Sequence, residues 1–154
     1  MEKMKSTLKV FDTAEIKGRE GHGKGHIQKV LLGNEERPTE RILASINTFE
    51  PGTHINLHWH PIEGLYYCVA GRATITDVEG KGYEIVPGKF MYISPGIACA
   101  HEWDVKEKLT LIAVRATNAR EKNIQFSVDK SNMRSYIDFD YLVRQAGASF
   151  KSFY

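Results

Sequence analysis

The sequence predicts an all-β fold, a sandwich or barrel built around one core. Three features of the chain carry that expectation. Between residues 41 and 116, short runs rich in β-branched and aromatic residues recur with no helical period among them. Turn signals separate these runs at intervals of roughly 8–12 residues, the rhythm of antiparallel sheets. A length of 154 residues suits one compact domain, which at this size buries about two-thirds of the surface its unfolded chain exposes.

Taken in order, residues 1–37 form an N-terminal arm with one strand. Its loop Gly21-His22-Gly23-Lys24-Gly25-His26 alternates glycine with polar residues and reads as solvated, and the run Ile27 to Leu32 reads as the strand. Residues 38–117 form the barrel core, with strand-like runs at Ile42–Phe49, Leu65–Val69, Ala73–Thr76, Tyr83–Val86, Phe90–Ile93 and Leu109–Val114. Glu50-Pro51-Gly52, Ala70-Gly71, Glu79-Gly80, Pro87-Gly88 and Pro95-Gly96 supply the turns, through proline's fixed φ or glycine's access to positive φ. Residues 118–154 add a strand at Ile124–Val128 and a short helix from Asp138 to Gln145. Asp138 or Asp140 would cap that helix and Gly147 would stop it. Such a tail packs across a barrel mouth or against a partner.

Composition narrows the function classes. The 21 basic residues are balanced by 19 acidic ones, a net charge of +2, and no basic stripe for nucleic acid emerges. No window approaches the ~18 consecutive apolar residues of a membrane span. The charged start Met1-Glu2-Lys3-Met4-Lys5 leads into no apolar run of signal-peptide length. Cys68 and Cys99 make no disulfide framework, so a reducing cytoplasm is expected, with both thiols read as small buried hydrophobes.

Chemistry concentrates at His58-Trp59-His60, which follows the Pro51-Gly52 turn. Strand side chains alternate faces, so the two imidazoles point the same way, about 6.6–7 Å apart along the backbone. That spacing lets one strand offer two ligands to one metal. The stretch from Glu50 to Glu63, with Tyr66 to Gly71, resembles the first cupin motif: a Gly, five residues, His-x-His, a Glu and a closing Gly. The stretch from Gly88 to Gly96 resembles the second: a Gly, a hydrophobic strand and a Pro-Gly turn before a last histidine. The resemblance covers roughly residues 41–116. It implies a single-domain cupin, a double-stranded β-helix or jelly-roll barrel with short N- and C-terminal extensions. The family includes dioxygenases, isomerases, decarboxylases, cyclases and non-enzymatic binders.

The chain departs from the pattern at two ligands. Counted without gaps, the family's glutamate falls on Gly64, with Glu63 one residue early, and its last histidine falls on Cys99, with His101 two residues late. An odd displacement turns Glu63 to the other strand face, whereas an even one keeps His101 inward. The resemblance then implies a site of His58, His60 and His101, with Cys99 and Glu63 as further candidates for the metal or the pocket. Such a set is similar to that of three-histidine, diketone-cleaving dioxygenases. It implies one divalent transition metal, iron first, with zinc, manganese or nickel as alternatives. The implied activity is an iron-dependent dioxygenase acting on a small oxygenated molecule. A zinc- or manganese-dependent isomerase, cyclase or decarboxylase is the alternative, and a non-enzymatic binding module the third reading. If position 64 faces inward, so do Tyr66, Cys68 and Ala70, and Tyr66 becomes a candidate catalytic donor beside Glu63. Trp103 would close or fill the pocket, and Arg115 could meet a substrate carboxylate. A homodimer is expected, with the Ile27–Leu32 strand offering itself to a partner.

Overall fold

A computed structural model describes residues 3–21, 24–119 and 121–145, so His22, Gly23 and Gly147 lie outside the described residues. The strands are β1 (Arg19–Glu20), β2 (His26–Leu32), β3 (Leu43–Phe49), β4 (His54–Trp59), β5 (Gly64–Asp77), β6 (Gly82–Ile85), β7 (Phe90–Ile93), β8 (His101–Arg115), β9 (Phe126–Asp129) and β10 (Arg134–Ile137). One helix, α1 (Phe139–Gln145), follows. Every strand pairing is antiparallel, and the fold is all-β as the alternation predicts.

Two long strands organise the sheet. β5 and β8 pair along almost their whole lengths, from Gly64 opposite Arg115 to Asp77 opposite His101. The late part of β8 meets β3, and the early part meets β4. Likewise β5 meets β7 near its start and β6 near its end. The chain therefore has two half-sheets, ordered β1-β2-β3-β8-β5-β7 and β10-β9-β4-β8-β5-β6, which share the bent β5–β8 ribbon. One core joins them: Phe49, Leu109 and Ile93 from the first half pack in the same cluster as Ile55, Val105 and Ile85 from the second. Face-to-face burial of this kind removes both inner faces from water and drives closure.

One expected turn resolves differently. Leu65–Val69 and Ala73–Thr76 are one strand, because Ala70-Gly71 is a bulged corner rather than a hairpin turn. Gly71 holds φ at +86°, and a Cβ there would lie 2.0 Å from the Lys108 carbonyl oxygen, so only glycine fits the crossing. The corner also breaks the alternation: Tyr66 and Cys68 face inward, but Ala70 is exposed and inward positions resume at Ala73 and Ile75. On the partner strand, the charged stretch Lys106-Glu107-Lys108 sits at the same corner. It hid from sequence that β8 starts at His101 rather than Leu109.

The extensions close one end. β2 pairs along β3 from His26 to Leu32. His26, read as part of a solvated loop, is buried at the start of β2. It stacks on Phe49 at 4.2 Å and bonds Asn47 Oδ1 at 2.9 Å. Asp138 caps α1 by accepting from the Tyr141 amide at 3.0 Å. No helix among the described residues is long and apolar enough to cross a membrane.

Gly71→Ala is expected to destabilise the protein well beyond Gly80→Ala. Both glycines have φ +86°, but nothing lies within 4 Å of a Cβ at Gly80. The conformation alone costs about 1–2 kcal/mol, and the Lys108 clash adds roughly 1–3 kcal/mol. Urea unfolding measures both, and equal losses would show that the corner contact is unimportant.

Candidate metal centre

Three elements carry three histidines to one place. His58 is the penultimate residue of β4, His60 follows it by two residues, and His101 opens β8 as the direct cross-strand partner of His58. A bulge between Ile55 and His58 inserts one extra residue on β4. Ile55 faces the main core and Leu57 faces a smaller cluster with Ala100 and Val128, so the bulge re-aims His58 inward. The nitrogens offered by His58, His60 and His101 all lie within 4.8 Å of one another, and all three residues are buried.

Hydrogen bonds fix which nitrogen each ring presents. His58 Nδ1 donates to the Asn56 carbonyl at 2.7 Å and His101 Nδ1 to the Cys99 carbonyl at 2.7 Å. His60 Nδ1 donates to the Ile124 carbonyl at 3.2 Å. A carbonyl oxygen only accepts, so each Nδ1 carries the proton and each Nε2 keeps its lone pair. His101 Nε2 is buried without a hydrogen-bond partner among the described residues. Burial above all holds the His58 and His60 imidazoles well below their ordinary range, with nearby positive groups adding to it. Burial likewise lowers His101 to about 4. Three neutral, oriented imidazoles with converging lone pairs, one of them orphaned, fit a divalent transition metal.

The other sequence candidates sit apart from this cluster. Glu63 lies exposed in the β4–β5 loop, where its carboxylate accepts from the Tyr92 hydroxyl at 2.8 Å. Cys99 does not share a strand face with His101. It belongs to a 3-10 turn, Ile97–Cys99, entered from Gly96 at φ +102°, and strand alternation begins only at His101. Its half-buried side chain packs against the core, and its carbonyl rather than its sulfur serves the site. Cys68 is fully buried and burial raises its thiol, as expected of a packed residue. Trp103 fills the interior edge-on between Tyr66 at 5.7 Å and His101 at 6.1 Å.

Beyond the histidines the interior is polar on one side. Arg115 Nη2 donates to the Tyr66 hydroxyl and lies 3.4 Å from His60 Nε2. Asn47 bridges His26 and Ser45, donating to Ser45 Oγ at 2.9 Å. Tyr141 of α1 stands 6.3 Å from the His60 ring, and burial raises its phenol. These groups line a cavity of about 60 Å³ that also reaches His58. Arg19, Gln28, Val30, Leu43 and Asn123 line both this cavity and an outer cleft of about 780 Å³ under the N-terminal arm. Sequence reasoning missed Ser45, Asn47 and Tyr141, because polar residues on a strand and in a tail read as solvent-facing.

A bent two-sheet barrel with three inward histidines near its mouth invites comparison, and residues 45–115 match the cupin domain family model. Residues 45–115 form a cupin domain. Solved cupin-fold structures resemble it along most of its length. The polyketide cyclase RemF from Streptomyces resistomycificus is 18% identical with a TM-score of 0.62, over 71% of this chain and 79% of that one. Ectoine synthase from P. lautus is 18% identical with a TM-score of 0.61, over 84% and 89%. An RmlC-like cupin from Shewanella frigidimarina is 19% identical with a TM-score of 0.59, over 77% and 97%. At such identities the likeness is one of fold. No curated protein matches this cupin in sequence.

The depressed histidines make the metal-free cupin sensitive to acid. Below about pH 6.5 the unfolded chain binds protons that the folded site refuses, so stability is full above that pH and falls as pH drops towards 4. His101 alone, lowered from 6.5 to about 4, accounts for roughly 3 kcal/mol of the fall. Urea unfolding of the metal-free protein at pH 7.5 and 5.0 should show a smaller loss for His101→Gln than for wild type. An identical loss would mean that His101 is not held neutral.

Proposed function

We propose that this cupin is a metal-dependent enzyme acting on a small oxygenated organic molecule, with His58, His60 and His101 as the metal-binding residues. The observation that carries the reading is the convergence of three buried Nε2 lone pairs, one without any partner, on imidazoles that burial keeps neutral. Bound there, a divalent transition metal would supply Lewis acidity towards a substrate oxygen, and iron would add reactivity towards dioxygen.

The chain's own residues prepare the substrate. Tyr66 accepts a hydrogen bond from Arg115, so its phenolic proton remains for an acceptor in the cavity. It is the group placed to share a proton with a substrate oxygen. The Arg115 guanidinium, beside His60, favours the anionic form of whatever binds. Phe49, Trp103 and Leu111 pack the wall between them and keep bulk water from the reacting atoms.

Iron-dependent oxygenation is the first reading, because a donor set without carboxylate leaves the charge of the ion uncompensated and suits an enolate-like substrate anion. A zinc- or manganese-dependent isomerase, cyclase or decarboxylase is the second, favoured by Tyr66, whose placement suits proton transfer without oxidation. Protein purified without oxygen is expected to contain up to one divalent transition metal per chain by elemental analysis. The folded His58→Ala, His60→Ala double variant should contain none. Cys99→Ser should keep the metal, whereas His101→Ala should weaken its binding at least about tenfold. Metal unchanged in the double variant overturns the reading. Turnover that consumes oxygen supports the first chemistry, turnover under nitrogen the second, and binding of small molecules without any turnover refutes an enzyme.

A further inference from the structure

One half-buried arginine points a buried Nη1 into the interior and meets no acid among the described residues. Arg115 ends β8, and its Nη1 is buried without a hydrogen-bond partner. Its Nη2 is directed to the Tyr66 hydroxyl and lies 3.4 Å from His60 Nε2. Among the described residues no carboxylate lies within ion-pair distance of it. A guanidinium nitrogen withdrawn from water needs a counter-charge or an acceptor, and for Nη1 the described residues supply neither. Its nearest polar neighbours are the Tyr66 hydroxyl and the histidine cluster, and none of these is a carboxylate.

The surrounding packing holds this arrangement in place. The Tyr66 ring lies under the guanidinium at 5.2 Å and is braced edge-on by Trp103. Gly64, the cross-strand partner of Arg115, leaves room for the side chain: a Cβ there would lie 3.1 Å from Arg115 Cδ. The guanidinium keeps donors in a planar fork, which matches the two oxygens of a carboxylate, and the spare Tyr66 proton adds a third donor. Space is limited as well. A cavity of about 60 Å³ holds roughly two waters, whereas the adjoining cleft of about 780 Å³ admits a much larger group.

We propose that Arg115 and Tyr66 form a carboxylate subsite beside the three histidines, and that the substrate is a small organic acid. Its carboxylate enters the barrel and the rest of it extends into the outer cleft. The inference rests on the metal reading only for the second contact, between another substrate oxygen and the ion. Because Arg115 and the metal position flank one space, a ligand with an oxygen beside its carboxylate satisfies both at once.

Oxalate tests this, with its uncharged diamide oxamide and inorganic phosphate as comparisons. Binding is measured by calorimetry on nickel-loaded and metal-free protein, with metal content checked after each titration. Oxalate is expected to bind, and Arg115→Met should weaken it at least tenfold at equal metal content. Tyr66→Phe should weaken it several-fold, and oxamide should bind no better than oxalate binds Arg115→Met. If Arg115→Met does not fold, Arg115→Lys, which keeps the charge and loses the fork, should still lose affinity. Oxalate binding unchanged in a folded Arg115 variant overturns the subsite and leaves the metal reading standing. Arg115-dependent oxalate binding in protein that takes up no metal supports the subsite and overturns the metal reading. Phosphate bound as tightly as oxalate, with the same dependence on Arg115, refutes a carboxylate site.

Discussion

His101 and Arg115 stand at opposite ends of one strand, and an extended chain of that length would hold them about 46 Å apart. Both nevertheless reach His60, whose ring lies 6.3 Å from that of His101 and whose Nε2 lies 3.4 Å from Arg115. The β5–β8 ladder must therefore curl most of the way around the barrel, and everything at the site depends on that curl. Bulges along β5 and the glycine corner against Lys108 permit it. Leu109 and Leu111, fully buried just past the corner, and Cys68 opposite them hold it shut. Core packing and site assembly are here one event: the apolar contacts that coil the ribbon also bring its two ends together.

Electrostatics follow from the same enclosure. Strands that close a barrel take their inward side chains out of water, so a charge there survives only with a partner. The histidines avoid that cost by staying neutral, each spending its one proton on a main-chain oxygen. Arg115 brings a guanidinium to the same interior, and no carboxylate among the described residues lies within ion-pair distance of it. The interior thus combines neutral donors for a metal with one permanent cation. Its lining mixes polar Ser45, Asn47 and His26 with apolar Ile55, Trp103 and Leu111, the last being the cross-strand neighbour of Asn47.

Much of this was legible before any coordinates. The all-β class and most strands follow from short β-branched runs between Pro-Gly signals, and the meeting of His58 with His60 follows from a two-residue period. The parity argument also placed His101 correctly, because β8 keeps its odd positions inward from His101 through Trp103 and Val105 and again from Leu109. The same argument failed at Cys99, where a 3-10 turn after Gly96 suspends the period, and at Ala70, where the Gly71 bulge shifts it. It did not foresee that a bulge on β4 would be needed to aim His58. Bulges depend on how two strands must bend around each other, which is a property of the closed barrel and not of either run. The nearness of Arg115 to His60 was illegible for the same reason.

The histidines are oriented by Asn56, Cys99 and Ile124, and in each case the orienting atom is a main-chain oxygen. Every residue type possesses that atom. These three positions can therefore drift among amide, thiol and alkyl side chains while the imidazoles keep their tautomer and aim. Comparison of relatives by residue identity would register the ligands and overlook their supports, since what is inherited there is a path of the backbone.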